Sequence, residues 1–338
     1  MTFLVNSANL FSVTTQQASV ANVSIIGGSL FIDSYDKFQG RVAGYTSGGG
    51  SGSPVIGSNV IDKFPFSTDG NATDVGDLTD ARTQVAGQSS SVSGYTSGGQ
   101  SPGGPVNTID KFPFATNANA SDVGDLTVLR LTTAGQSSTV SGYTSGGNLG
   151  PGVSNTIDKF PFATNANASD VGDLTQGKSE VTGQSSTVSG YTSGGHLSPG
   201  ITNVIDKFPF AADANASDVG DLTIQRRNGA GQSSAVSGYN SGGESPSSPL
   251  IINVIDKFPF ATNANATDVG DLTIFRRIPA GQSSQISGYS TGGISSPPAG
   301  FPTFSTNIID KFPFATDANA TDVGDLTQGR YGVAGQQD

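Results

Sequence analysis

Apolar and polar residues alternate in short runs along most of this chain, and the runs return in the same order. In Thr156 to Phe162, the residues Ile157, Lys159 and Pro161 alternate with Asp158, Phe160 and Phe162. A period of two is the signature of a β-strand, and the proline places this strand near a sheet edge or end. Around it lie three more short segments, Arg130 to Ser138, Thr139 to Gly147 and Thr164 to Thr175. Turn chemistry separates them. The pair Gly146-Gly147 permits positive φ or a close backbone approach. The density of Gly, Ser, Thr and Asn excludes helix from most of the unit. Each unit therefore predicts four short strands.

The unit recurs. Ile-Asp-Lys-Phe-Pro-Phe begins at Ile61, Ile109, Ile157, Ile205, Ile255 and Ile309, at spacings of 48, 48, 48, 50 and 54 residues. Four strands per roughly fifty residues, with Gly-Gly after the second, is the pattern of a β-propeller blade. Closure supports a count of six. The first copy, Arg41 to Gly49, lacks the Gln-Ser-Ser strand of its siblings, and Arg330 to Asp338 is that strand left over. Pairing the two seals the open edges of the ring. Residues 1–40 stand apart, with β-branched runs that read as two or three strands turning at Ser7–Asn9 and Gly27-Gly28. They are expected to be either an arm packed on the repeats or an attachment segment. The expected domains are thus 1–40 and 41–338.

The Gly-Gly pair, variable loop, Ile-Asp-x-Phe, Asx-rich turn and Asp-Leu-Thr-x-x-Arg resemble the kelch repeat. The resemblance implies an all-β, six-bladed kelch-like β-propeller, closed by a C-terminal strand joining the first blade and preceded by a short β-rich arm. The chain departs from that repeat in having no tryptophan. The Val of Asp-Val-Gly-Asp and the two Phe must then supply the packing between blades. Gly-Tyr-Thr-Ser-Gly-Gly, Ile-Asp-Lys-Phe-Pro-Phe and Asp-Ala-Asn-Ala-Thr-Asp-Val-Gly-Asp-Leu-Thr also resemble repeat proteins of tailed phages of marine cyanobacteria. That resemblance covers the six repeats, not residues 1–40. It implies a non-enzymatic virion structural protein of a tail fibre or surface appendage, located at the particle surface. Other virion proteins reached through residues 1–40 are the expected partners, together with further copies of the chain and a host surface glycan or protein.

Composition narrows the classes. The hydrophobic fraction of 34% is low enough to overlap with disordered chains, but a disordered chain has no reason to keep its Phe, Ile, Val and Tyr in register. A net charge of −11 without a Lys/Arg cluster argues against nucleic acid. With no cysteine, thiol catalysis and thiolate metal sites are excluded. No apolar stretch approaches the ~18 residues of a membrane span, and the opening Met1 to Asn6 has no basic region or sustained apolar run of a secretory signal.

Differences among the copies point to function. The segment after each Gly-Gly varies in sequence and length, as does the stretch after Asp-Leu-Thr. In a four-stranded antiparallel blade these two connections leave on one face, whereas the nearly constant Gln-Ser-Ser and Asx turns leave on the other. Loops on a rigid scaffold are where recognition usually sits; drift in surface loops is the alternative. Candidate ligand- or partner-binding residues are His196, Arg227, Glu244, Arg277, Pro297, Phe301 and Phe304, the last three in a loop unusually rich in apolar groups. A basic residue follows each Leu-Thr: Arg82, Arg130, Lys178, Arg226, Arg276 and Arg330. These are candidates to ring a channel mouth and bind an anion, or else to pair with a carboxylate of the Asp77 type. Asp317, Asn319 and Asp322 offer calcium-like oxygen spacing without the terminal Glu of an EF-hand; an Asx-capped turn explains them equally.

No catalytic constellation emerges. The single histidine, His196, permits a Ser-His-Asp triad in one copy at most. Phosphate-loop and zinc spacings are absent, and no cofactor is expected. Two functions stay open, a receptor-binding module and a purely structural fibre or decoration subunit making self-contacts. A glycan-cleaving enzyme is weaker, because Glu244 alone supplies no carboxylate pair.

Overall fold

The computed structural model describes residues 23–26, 29–32, 39–52, 55–247, 250–295 and 304–338. Pro297 and Phe301 lie outside the described residues, as does the turn expected at Ser7–Asn9. The chain divides into two units, Met1–Asp36 and Lys37–Asp338. In the first, the strands Val23–Ile26 and Ser29–Ile32 pair antiparallel with Ile26 opposite Ser29, and the turn expected at Gly27-Gly28 lies outside the described residues.

The second unit is all-β, and no helix occurs among its described residues. Its main elements are six antiparallel four-stranded sheets. Sheet 3 shows the plan, with strands Ala134–Ser137, Ser141–Ser145, Thr156–Pro161 and Ser169–Asp173 in spatial order. Sheets 2, 4, 5 and 6 repeat it, starting at Ala86–Ser89, Thr182–Ser185, Ala230–Ser233 and Ala280–Ser283. Sheet 1 takes its first strand from the other end of the chain. Ala334–Gln337 pairs with Ala43–Ser47, with Gly44 opposite Gln337 and Ser47 opposite Ala334. The C-terminal strand thus fills the place that the short first copy leaves open.

A sheet with only one apolar face would need water on the other, but here both faces are used. Tyr143, Ile157 and Leu174 of sheet 3 pack against Phe208 of sheet 4, with Val171, Phe210 and Ala216 partly buried beside them. The same cluster forms between every consecutive pair of sheets, and the last joins Tyr289, Ile309 and Leu326 of sheet 6 to Phe64 and Phe66 of sheet 1. Each tyrosine ring stacks on the second phenylalanine of the next sheet, as Tyr143 does on Phe210 at 4.8 Å. It meets the first at a tilt, as with Phe208 at 5.6 Å, and both geometries are favourable for aromatic pairs. The valine and the phenylalanine pair fill the space between sheets, with a tyrosine added.

The innermost strands are polar, which accounts for the low apolar fraction. Each approaches its two neighbours so closely that only glycine fits. A Cβ on Gly183 would stand 2.3 Å from the Gly135 carbonyl oxygen, and the equivalent contacts at Gly231, Gly281, Gly335, Gly87 and Gly135 run from sheet to sheet and back to the start. Buried glutamines tie this layer together. Gln136 donates through Nε2 to Ser145 Oγ at 2.9 Å in its own sheet and to the Tyr191 carbonyl at 3.0 Å in the next. Hydrogen bonds there do the cohesive work that apolar contact does farther out.

Candidate functional site

The two variable segments of each copy meet at one end of the unit. The residue after each basic position bridges to the residue after a Gly-Gly pair: Thr83 to Gln100, Leu131 to Asn148, Ser179 to His196 and Arg227 to Glu244. Arg277 pairs likewise with Ile294, and Tyr331 with Gly50. Positive φ at Gly146 (66°) and Gly147 (114°) carries the chain out of the second strand into this bridge. Beyond it several of the loops form small hairpins, such as Gln100–Ser101 with Gly104–Pro105.

One residue farther along, each copy places a residue in the left-handed region: Gln84, Thr132, Glu180, Asn228, Ile278 and Gly332, with φ between 55° and 64°. Five are not glycine, and a β-branched residue such as Ile278 rarely adopts this conformation. Their backbones explain it. The amide of Thr132 donates to the Gln84 carbonyl at 2.9 Å, Glu180 to Thr132 at 2.9 Å, Asn228 to Glu180 at 2.8 Å and Ile278 to Asn228 at 2.7 Å. Gly332 donates to Ile278 at 3.0 Å and Gln84 to Gly332 at 2.6 Å. Six backbone hydrogen bonds thus form a closed ring, which fixes the main chain and leaves the side chains unconstrained.

Above this ring lies a vestibule of about 400 Å³. Its lining includes Gln84, Thr132, Glu180, Asn228 and Ile278 of the ring, together with Val55, Thr83, Gln100, Arg227, Arg277, Ile294 and Tyr331. One side is charged. Arg227 reaches Glu180 Oε2 through Nη1 at 3.1 Å and Glu244 Oε1 through Nη2 at 3.0 Å. Arg277 meets Glu244 Oε2 through Nη1 at 2.7 Å, and Asn228 Nδ2 donates to Glu180 Oε2 at 2.8 Å. Burial pushes the Glu244 carboxyl up, but the hydrogen bonds and charges of Arg227 and Arg277 outweigh it and hold the group below its ordinary value. The rest of the lining includes Tyr331, Val55 and two glutamine amides.

The structure thus brings together Arg227, Arg277 and Glu244 of the sequence candidates and adds Glu180, Asn228 and Tyr331, which sequence reasoning passed over. A column containing Asn228 and Gly332, the two residue types most at ease with positive φ, carried the signal for the ring. His196 ends the strand Ser189–His196 and does not line the vestibule. Phe304, 52% exposed, belongs to the short strand Phe304–Ser305 paired with Ile294–Ser295 and does not line it either.

The expectation of six free cations around a channel mouth is corrected. Arg82, Arg130, Arg226, Arg276, Arg330 and Lys178 are each at most 1% exposed. Each pairs with the aspartate of Ile-Asp-Lys-Phe-Pro-Phe in the next copy, not with one of the Asp77 type. Arg130 meets Asp158 at 2.8 Å, Arg82 meets Asp110 at 2.7 Å and Arg226 meets Asp256 at 2.8 Å. Arg330 meets Asp62 at 2.7 Å, Lys178 meets Asp206 at 3.2 Å, and Arg276 pairs with Asp310. The arginines also donate to backbone carbonyls, as Arg130 does to Thr144 and Thr156. Asp158 in turn accepts the amide of Thr127 at 2.9 Å and its hydroxyl at 2.7 Å. Desolvation pulls the pKa of all six cations down, and the paired aspartates oppose it. A carboxylate with no access to water requires such a partner.

The calcium candidates are engaged by the protein. Asp317 meets Lys257 at 2.9 Å, Asn319 accepts the Asp271 amide of the neighbouring sheet at 3.1 Å, and Asp322 accepts the Gly324 amide at 3.1 Å. Among the described residues no three His, Cys, Asp or Glu side chains are grouped as a metal site requires. No family model matches the chain, and no match emerges among curated proteins.

Proposed function

We propose that residues 41–338 form a six-bladed kelch-like β-propeller whose variable-loop end recognises a host or partner, as a non-enzymatic component of a phage tail fibre or surface appendage. Six four-stranded sheets, packed face to face in a cycle that the C-terminal strand completes, favour the propeller reading. One observation carries the recognition reading. Side chains that vary from copy to copy converge on a single vestibule, while the backbone beneath them keeps one conformation. A rigid frame presenting diversified side chains is the design of a binding surface.

Virion membership rests on the resemblance of the repeats to phage proteins. Residues 1–40 are the proposed link to the particle. The alternative, a fibre or decoration subunit making only self-contacts, buries the loop end against sister subunits. Probing a glycan array and a panel of host envelope fractions with the full chain tests the proposal. Capture that is lost when the loop 244–252 is replaced by the shorter 148–154 supports it, and absence of capture by any surface counts against recognition. Particle imaging with the loop end buried between copies would select the structural alternative.

A further inference from the structure

The two guanidiniums of the vestibule are not equivalent. Arg227 spends Nη1 on Glu180 and Nη2 on Glu244, so both of its terminal nitrogens are occupied. Arg277 spends only Nη1, on Glu244; its other terminal nitrogen makes no hydrogen bond to the described residues, and the side chain is 31% exposed in the vestibule wall. Glu244 has each oxygen taken by one arginine. Arg227 thus has a carboxylate at each terminal nitrogen, whereas Arg277 keeps one terminal nitrogen with both N–H groups unspent for an incoming acceptor, and guanidinium–carboxylate pairing is the contact it favours.

The surroundings limit what that acceptor is attached to. Glu180, Glu244, Arg227 and Arg277 balance one another in charge, so the wall suits a ligand with a single localised negative charge on a neutral body. A polyanion such as a phosphate dianion would meet Glu180 in the lining and, behind the two arginines, Glu244. Tyr331 lines the same vestibule as Arg277. An aromatic ring beside amides and hydroxyls suits a polyhydroxylated ring, with stacking on one face and hydrogen bonds at the edge. The volume, about 400 Å³, is at the small end for ligand pockets.

We infer that the vestibule binds a carboxylated sugar residue, with Arg277 as the partner of the carboxylate and Tyr331 as the surface against which the sugar ring packs. This rests on reading the loop end as a recognition surface. Calorimetric titration of the full chain with methyl β-glucuronoside, methyl β-glucoside and acetate tests it. The uronoside should bind at least about ten-fold more tightly than the neutral glycoside, the effect of one charge-assisted hydrogen bond, and acetate should bind more weakly than either. Arg277→Gln should erase the preference, with only the small fall in thermal midpoint that loss of its pairing with Glu244 brings, and Ile294→Trp, which fills the vestibule, should remove binding of both glycosides. Equal affinity for the two glycosides, or a preference that survives Arg277→Gln, overturns the inference. If neither glycoside binds while a glycan array still captures the chain, the inference fails and the recognition reading stands. Failure on the array as well removes both.

Discussion

The two ends of the six-sheet unit are each crossed by a closed ring of six hydrogen bonds, and the rings are built differently. At the constant end the amide of Ser137 donates to Ser185 Oγ at 3.0 Å, Ser185 to Ser233 Oγ at 3.0 Å and Ser233 to Ser283 Oγ at 2.8 Å. The ring closes through Gln337, whose Oε1 accepts from Ser283 at 3.4 Å, and through Ser89, which accepts from Gln337 and donates to Ser137. Side chains make that ring, so each copy must supply an acceptor there, a serine in five and Gln337 in the sixth. At the variable end amides donate to carbonyls, and no side-chain group is needed to close the ring. The difference explains why one end repeats Gln-Ser while the other runs Gln84, Thr132, Glu180, Asn228, Ile278, Gly332. Variation is permitted where the main chain closes the structure by itself.

The comparison breaks most severely where the variable end is anchored. Arg130 and Asp158 are both fully buried and hold the segment that leads into the backbone ring. Asp158→Ala leaves a buried guanidinium without its counter-charge, and chemical denaturation should show a loss of about 3–5 kcal/mol. A loss below about 1 kcal/mol would mean that the buried pairs do not support the variable end.

A paired measurement then compares the rings directly. Ser185→Ala removes an acceptor at the constant end and strands the buried Ser137 amide, for an expected loss of about 1–2 kcal/mol. Thr132→Asn changes a ring residue at the variable end to one that tolerates positive φ, and should be neutral or stabilising by up to about 1 kcal/mol. Urea titrations giving the reverse order would refute the distinction between a side-chain ring and a backbone ring.

Much of the fold was legible because its causes are local. Period-two runs, paired glycines and a missing first strand that reappears at the C-terminus all follow from turn and strand chemistry in the residues themselves. The site was less legible for physical reasons. Positive φ at Gln84 or Ile278 is imposed by hydrogen bonds to the copies on either side, so nothing in those residue types announces it. The partners of the basic residues were misassigned because each aspartate lies in the next copy, as Asp158 does for Arg130, and only the packing of neighbouring sheets brings the two together. Both faces of every sheet are covered, and a buried aspartate repeated six times requires a buried cation repeated six times.

One copy departs from that rule, and its repair is a smaller test. Lys178 stands where the other copies have arginine; its Nζ lies 3.2 Å from Asp206 but forms no well-aligned hydrogen bond. The arginines donate to two or three backbone carbonyls besides their aspartate, as Arg82 does to Thr96, Gly98 and Thr108. Lys178→Arg should restore those bonds and raise stability by about 1 kcal/mol. A lower thermal midpoint would show that the backbone near Lys178 has adapted to the shorter cation.

The smallest effect separates the ends by acid. Glu244 has its folded pKa held below the ordinary value of 4.5, chiefly through Arg227 and Arg277 acting against burial. A depressed carboxyl contributes stability above its unfolded pKa and loses it as pH falls through the folded value. The window therefore lies below pH 4.5, and the loss is confined to the variable end, where the charged chain sits. At the constant end the aspartates that meet lysines, Asp69, Asp213 and Asp317, are 58–60% exposed, and pairs that open to water contribute little. Hydrogen exchange below pH 4.5 should release the ring amides of Asn228 and Ile278 before those of Ser137 and Ser185, after correction for intrinsic rates. Glu244→Gln should abolish the pH dependence of that ordering. If the serine ring opens first on acidification, the charged chain is not what steadies the variable end, and its role narrows to shaping the vestibule for a ligand.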